Sequence, residues 1–95
     1  MRQYTDLFLK DAKWILEKVQ TENIYQRNKW GLQTHSAFEW LTYTAEELGS
    51  LAKAIDAYEC RNGSRAAVIS EATQVATLAL KIAEMYELGG GTDGY

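Results

Sequence analysis

Apolar residues recur at three- and four-residue spacing along most of this chain, and they mark out three helices. The first stripe reads Phe8, Ala12, Ile15, Leu16 and Val19 behind a cap at Thr5 or Asp6, and predicts a helix to about Tyr25. A non-helical connector is expected next, Asn28-Lys29-Trp30-Gly31-Leu32-Gln33-Thr34-His35, with Gly31 free to take dihedrals closed to other residues. Ser36, followed three residues on by Glu39, has the form of a capping box. It opens a second helix whose expected core stripe is Leu41, Leu48, Leu51, Ala52, Ile55 and Tyr58, ending near Arg61. Asn62-Gly63 predicts a tight turn, Ser64 caps a third helix to about Leu88, and Gly89-Gly90-Gly91 stops it.

The third helix is apolar on two sides. Val68, Ala72, Val75, Ala79, Ile82 and Tyr86 form one stripe, and Ile69, Ala76, Leu80 and Ala83 another. A helix on the surface of a lone chain needs only one such stripe, so packing against a second copy is expected. No internal repeat is visible. The reading is a single helical domain over residues 1–88 and a flexible glycine-rich tail over 89–95, within an all-α oligomeric bundle.

Composition narrows the classes. At 95 residues, 46% hydrophobic and 24% charged, the chain suits one folded domain with a modest core. The absence of proline suits uninterrupted helices. A net charge of −3 argues against a nucleic-acid polymer as partner, since such surfaces carry a basic footprint. Cys60, the single cysteine, allows no internal disulfide and reads as a passive, half-buried thiol in a reducing compartment. No signal-peptide pattern or membrane-length apolar run is expected, so the location predicted is cytoplasmic, with no membrane partner.

Two carboxylate clusters carry the candidate chemistry. Ala45-Glu46-Glu47-Leu48-Gly49-Ser50 lies on the second helix and Ser70-Glu71-Ala72-Thr73-Gln74 on the third. A carboxylate inside an apolar-periodic segment is costly unless it meets a cation or a donor. One from each of two neighbouring helices is what a divalent-metal site in a bundle requires. Glu47 and Ser50 share a helix face, as do Glu71 and Gln74. Counted along a simple hairpin, however, Glu47 and Glu71 differ in height by about 10 Å, at roughly 1.5 Å per residue. Spacing alone leaves a shared site open.

Glu46-Glu47-Leu48-Gly49-Ser50-Leu51-Ala52-Lys53-Ala54-Ile55 resembles the first metal motif, EExxE, of the MazG-like nucleotide pyrophosphohydrolases, the all-α NTP pyrophosphatase superfamily. Glu71-Ala72-Thr73-Gln74 falls where that family carries ExxD, and Lys29-Trp30-Gly31-Leu32-Gln33-Thr34-His35 resembles a segment found before the first motif in many small members. The resemblance covers roughly Asn28 to Tyr86. It implies Mg²⁺-dependent (or Mn²⁺-dependent) cleavage of an NTP or dNTP to the monophosphate and pyrophosphate, as in house-cleaning of non-standard nucleotides, by a homodimer or homotetramer. By motif position it implies Glu46 and Glu47 as catalytic carboxylates and Glu47, Glu71, Ser50 and Gln74 around the metal. Ser50 and Gln74 stand where the family has glutamate and aspartate, which leaves charge for one Mg²⁺ but little for two. Within that reading Trp30 offers a stacking face for a base, and Gln33 or His35 a hydrogen bond to its edge. Lys53, Arg61, Arg65 and Lys81 are the cations available to phosphates, with Lys53 and Lys81 preferred.

Each feature also has a plainer explanation. Glu46 and Glu47 suit a solvated pair, Glu71 suits the positive end of a helix dipole, and Trp30 and Trp40 suit packing anchors. Tyr43, Tyr58 and Tyr86 fit helix-packing positions. The alternatives to an enzyme are therefore a catalytically impaired MazG-like module that binds nucleotide or protein, and a helical oligomer without a ligand.

Overall fold

A computed structural model describes residues 12–31 and 33–88; the caps at Thr5 or Asp6, Phe8, Leu32 and the tail over 89–95 lie outside them. Within that span the chain is all-α: α1 (Ala12–Trp30), α2 (Ala37–Cys60) and α3 (Arg65–Glu87), with no strand among the described residues.

The expected boundary of α1 is corrected. The helix runs on through Asn28, Lys29 and Trp30, which the sequence reading assigns to the connector. Nothing before Gly31 breaks it, and Arg27 and Lys29 in its last turn suit the negative end of the helix dipole. It ends at Gly31, which takes φ +75°, and whose N–H donates to the Arg27 carbonyl at 2.8 Å.

The other boundaries agree closely with expectation. The Ser36 hydroxyl accepts from the Glu39 N–H at 3.1 Å, and the Glu39 carboxylate accepts from the Ser36 N–H at 2.8 Å, a complete capping box. That backbone hydrogen bond is the main cause holding the Glu39 carboxyl below its ordinary pKa. Ser64 caps α3 through the Ala67 N–H at 3.1 Å. Between them, Asn62 takes φ +62° and the chain doubles back sharply. The Ala57 carbonyl accepts from both Arg61 and Gly63 at 2.8 Å. A side chain on Gly63 would lie 2.8 Å from the Ala57 carbonyl carbon, so only glycine fits this crossing.

α2 and α3 form an antiparallel hairpin, α1 packs on α3, and α1 and α2 make no close backbone contact. The most deeply buried of the described positions are polar. Among the described residues no apolar side chain is fully buried; the two buried residues are Gln26 (6% exposed) and Thr77 (2% exposed). The inward face of α2 is Trp40, Thr44, Glu47, Leu51, Ala54 and Ala57. The stripe expected as its core is corrected accordingly: Leu41, Leu48, Ile55 and Tyr58 are exposed, with Leu48 at 55%. Periodicity identifies an apolar face, and here that face points away from the chain's own helices.

The same holds on α3, where Val68, Val75 and Ile82 are half-buried while Ile69, Leu80 and Tyr86 are exposed. α3 is the most apolar stretch by hydropathy window, without an unbroken apolar run. An 18-residue window within it has mean hydropathy 1.3 and at most two charged residues, enough to span by length and composition, a test that core helices of soluble proteins also pass.

Candidate functional site: two chambers sharing a wall

The fold-back at Gly63 sets the register of the site. With Gly63 beside Ala57, Glu47 stands ten residues before the crossing and Glu71 eight after it. At 1.5 Å per residue their heights differ by about 3 Å, not the ~10 Å of a simple hairpin. The two side chains come together across the α2–α3 seam, close enough for Glu71 to act on the Glu47 carboxyl. An ionised carboxylate only accepts, so a hydrogen bond between the two carboxyls needs a proton on one of them. Withdrawal from water, the Glu71 hydrogen bond, and the charges of Glu71 and Glu22 push the Glu47 carboxyl up to about 7.

Gln74 completes this cluster from one turn along α3. In the amide orientation that suits both neighbours, its Nε2 donates to the two Glu47 oxygens at 3.3 Å each, and its Oε1 accepts from Ser70 Oγ at 3.3 Å. Gln74 thus offers Glu47 a donor at the position where a carboxylate would offer a metal a ligand.

Glu47 opens into a chamber of about 410 Å³, lined also by Trp30, Gln33, Trp40, Glu46, Ser50 and Gln74. That volume lies within the ~300–1,000 Å³ of small-molecule sites. Seven of the candidate residues therefore converge: Trp30, Gln33, Glu46, Glu47, Ser50 and Gln74 on the chamber, and Glu71 behind it through Glu47.

A second chamber, of about 550 Å³, takes in Asn23, Arg27, His35, Lys81 and Glu84, and shares Gln26, Gln33 and Trp40 with the first. His35 sits against Trp40 and Tyr43 in edge-to-face contacts, ring centroids 4.8 and 5.1 Å away, so both rings act as packing groups here. The His35 Nδ1 lies 3.6 Å from Glu39, while its Nε2 is buried with no hydrogen-bond partner among the described residues. Lys81 donates to the Asn23 Oδ1 at 2.5 Å and lies 5.7 Å from the centroid of the Trp40 ring.

Several candidates stand elsewhere. Lys53 is exposed on α2 and lines neither chamber. Arg61 pairs with Asp56 at the hairpin turn, and Arg65 is exposed at the start of α3. Cys60, expected half-buried, is exposed at the last residue of α2.

Sequence reasoning missed the contribution of α1. Glu22 adds charge near Glu47, Gln26 donates to Glu22 at 2.8 Å from a buried position, and Asn23 and Arg27 line the second chamber. The signal was available: Glu22/Gln26 and Asn23/Arg27 are polar pairs at four-residue spacing along one helix. No family model matches this chain, and neither the curated proteins nor the solved structures contain a significant match to it.

Proposed function

We propose that this chain is a nucleoside triphosphate pyrophosphohydrolase of the MazG-like type, cutting an NTP or dNTP to the monophosphate and pyrophosphate. The observation that carries the reading is the contact of Glu47 with Glu71 at the wall of a chamber that also presents Glu46 and the Trp30 ring. Two carboxylates from two helices suit one Mg²⁺ (or Mn²⁺) whose remaining positions are filled by water and substrate phosphates. They do not suit two ions, since Ser50 and Gln74 add no charge beside them; among the described residues no three His, Cys, Asp or Glu side chains converge as a metal-holding group. Glu47 and Glu71 would hold the ion, which would supply Lewis-acid neutralisation of phosphate charge.

The chain's own residues do the rest. Glu46 orients the attacking water and takes its proton. The water oxygen bonds to the α-phosphorus, the bond from that phosphorus to the bridging oxygen breaks, and the oxygen departs on pyrophosphate with the electron pair. Trp30 offers a face for the base, and Gln33 a hydrogen bond to its edge.

A homodimer or homotetramer belongs to the same proposal. The outward apolar positions Leu41, Leu48, Ile55, Ile69 and Leu80 leave a helical surface that a second copy would cover. Light scattering on the purified chain is expected to give at least twice the mass of one chain; a monomer contradicts this part.

One observation favours a second reading, a MazG-like module that binds nucleotide without cleaving it. In the amide orientation that suits its neighbours, Gln74 sets a donor, not a metal ligand, 3.3 Å from both Glu47 oxygens. A panel of NTPs, dNTPs and modified nucleotides with Mg²⁺ or Mn²⁺, assayed for pyrophosphate, separates the two. Release from at least one substrate is expected; binding with no release from any makes the second reading correct.

A further inference from the structure

The second chamber holds two cations, Arg27 and Lys81, that form no ion pair among the described residues, and one carboxylate, Glu84. The ion pairs among the described residues are His35 with Glu39 and Arg61 with Asp56, so neither Arg27 nor Lys81 has a described carboxylate within 4.0 Å. Lys81 is half-buried, and only the Asn23 carbonyl oxygen occupies one of its three donors. Burial is the main influence lowering the pKa of its ammonium, and the charge of Arg27 acts in the same direction; Glu84 and Glu22 oppose them. A half-buried ammonium that shares a chamber with a guanidinium is costly, and an anion bound to both relieves the desolvation and the repulsion.

The occupant can be specified further. The chamber of about 550 Å³ is roomier than a single compact anion needs, and it offers two cations from two helices, Arg27 from α1 and Lys81 from α3. Gln26, Gln33 and Trp40 form a wall common to it and to the carboxyl chamber. A phosphate chain passing along that wall has its terminal charge beside Arg27 and Lys81 and its other end beside Glu46 and Glu47. The reverse placement sets polyphosphate charge against the carboxyl pair and leaves the cations unmatched.

We propose that the Arg27–Lys81 chamber is a binding site for linked phosphates, a pyrophosphate group, held by these two cations. As an anion site it stands without the hydrolase reading. Its role as the pocket of the leaving pyrophosphate rests on that reading.

The test uses the full chain without divalent metal, with inorganic pyrophosphate as probe and tryptophan emission plus calorimetry as readouts. Pyrophosphate is expected to bind and to perturb emission through Trp40, and sulfate to bind more weakly. Removing one charge-assisted hydrogen bond should weaken binding by about tenfold or more, so Lys81→Met and Arg27→Gln each show that effect and the double variant shows both. Lys53→Met, equal in charge change but on neither chamber, should bind like the parent chain. Arg27 is exposed, so Arg27→Gln keeps the test decisive if Lys81→Met does not fold. Absence of pyrophosphate binding, or equal weakening in Lys53→Met and Arg27→Gln, overturns the proposal. The two readings fail separately: hydrolysis without pyrophosphate binding removes this site, and pyrophosphate binding without hydrolysis removes the enzyme.

Discussion

The two chambers share a wall of Gln26, Gln33 and Trp40, yet they are electrically opposite and differ in how their charges are met. On the acidic side Glu47 has a carboxyl partner in Glu71 and an amide donor in Gln74. On the basic side Lys81 has one neutral acceptor, Arg27 has no described carboxylate within 4.0 Å although Glu84 lines the same chamber, and the His35 Nε2 has no partner among the described residues. A satisfied cluster holds its shape without a ligand. An unsatisfied one is raised in energy until a ligand arrives. The contrast teaches that charge content alone does not reveal where a ligand contributes most: Glu47 relieves its crowding by holding a proton and accepting from Gln74, and the cations beside it have no such means.

The strongest way to break this comparison is to remove the carboxylate that stands outside the matched cluster. Glu46→Gln should lower pyrophosphate release by about 10²–10⁴-fold with little change in nucleotide affinity, the usual contribution of general base catalysis. Steady-state kinetics measures both, and a variant retaining full kcat would move the base elsewhere.

Next in size is the conversion of the matched cluster into a metal-seeking one. Ser50→Glu with Gln74→Asp replaces two neutral groups by carboxylates and removes the donor that faces Glu47. Mg²⁺ affinity in the absence of nucleotide should rise by about tenfold or more, because cation affinity follows ligand charge. A titration indistinguishable from that of the parent would place the ion away from these residues.

The shared proton has a pH signature of its own. Below the ordinary value of 4.5 Glu47 is protonated in folded and unfolded chains alike, and its stabilising effect is fully present. Between there and about 7 the folded chain binds the extra proton, so this contribution falls as pH rises and is lost on passing about 7. Metal-free denaturation of the parent and Glu47→Gln across pH 4 to 8 should show this slope in the parent and a flatter profile in the variant. Identical slopes would contradict the shared proton.

The smallest effect expected is at the cap beside the basic chamber. Ser36→Ala removes one half of the capping box next to His35 and should cost about 0.5–2 kcal/mol in urea denaturation. It should disturb pyrophosphate binding more than Mg²⁺ binding, since His35 lines only the basic side.

Much of the helix layout is legible in local chemistry. Ser36 with Glu39, Asn62-Gly63 and Ser64 each encode a boundary within a few residues of sequence, and each boundary lies where that chemistry puts it. What depends on distant packing is not legible. Asn28 and Lys29 look like loop residues and suggest too early an end for α1, although Gly31 is the first real break. The stripe of Leu41, Leu48 and Ile55 is legible as apolar but not as outward-facing, since periodicity does not say which neighbour covers a face. The meeting of Glu47 and Glu71 is hidden from a height count that ends the hairpin at its turn, because Gly63 folds back against Ala57. The polar pairs on α1 give a fainter signal than carboxylates in apolar surroundings, because α1 is the least apolar helix of the three.

The central claim is attack of water on the α-phosphorus beside Glu46, Glu47 and Glu71, and oxygen labelling tests it most directly. Hydrolysis of a responsive nucleoside triphosphate would be run in ¹⁸O-water with Mg²⁺, and the products resolved by mass spectrometry. The account predicts one ¹⁸O on the nucleoside monophosphate and unlabelled pyrophosphate. Label in pyrophosphate, release of orthophosphate in its place, or no turnover of any nucleotide would contradict it.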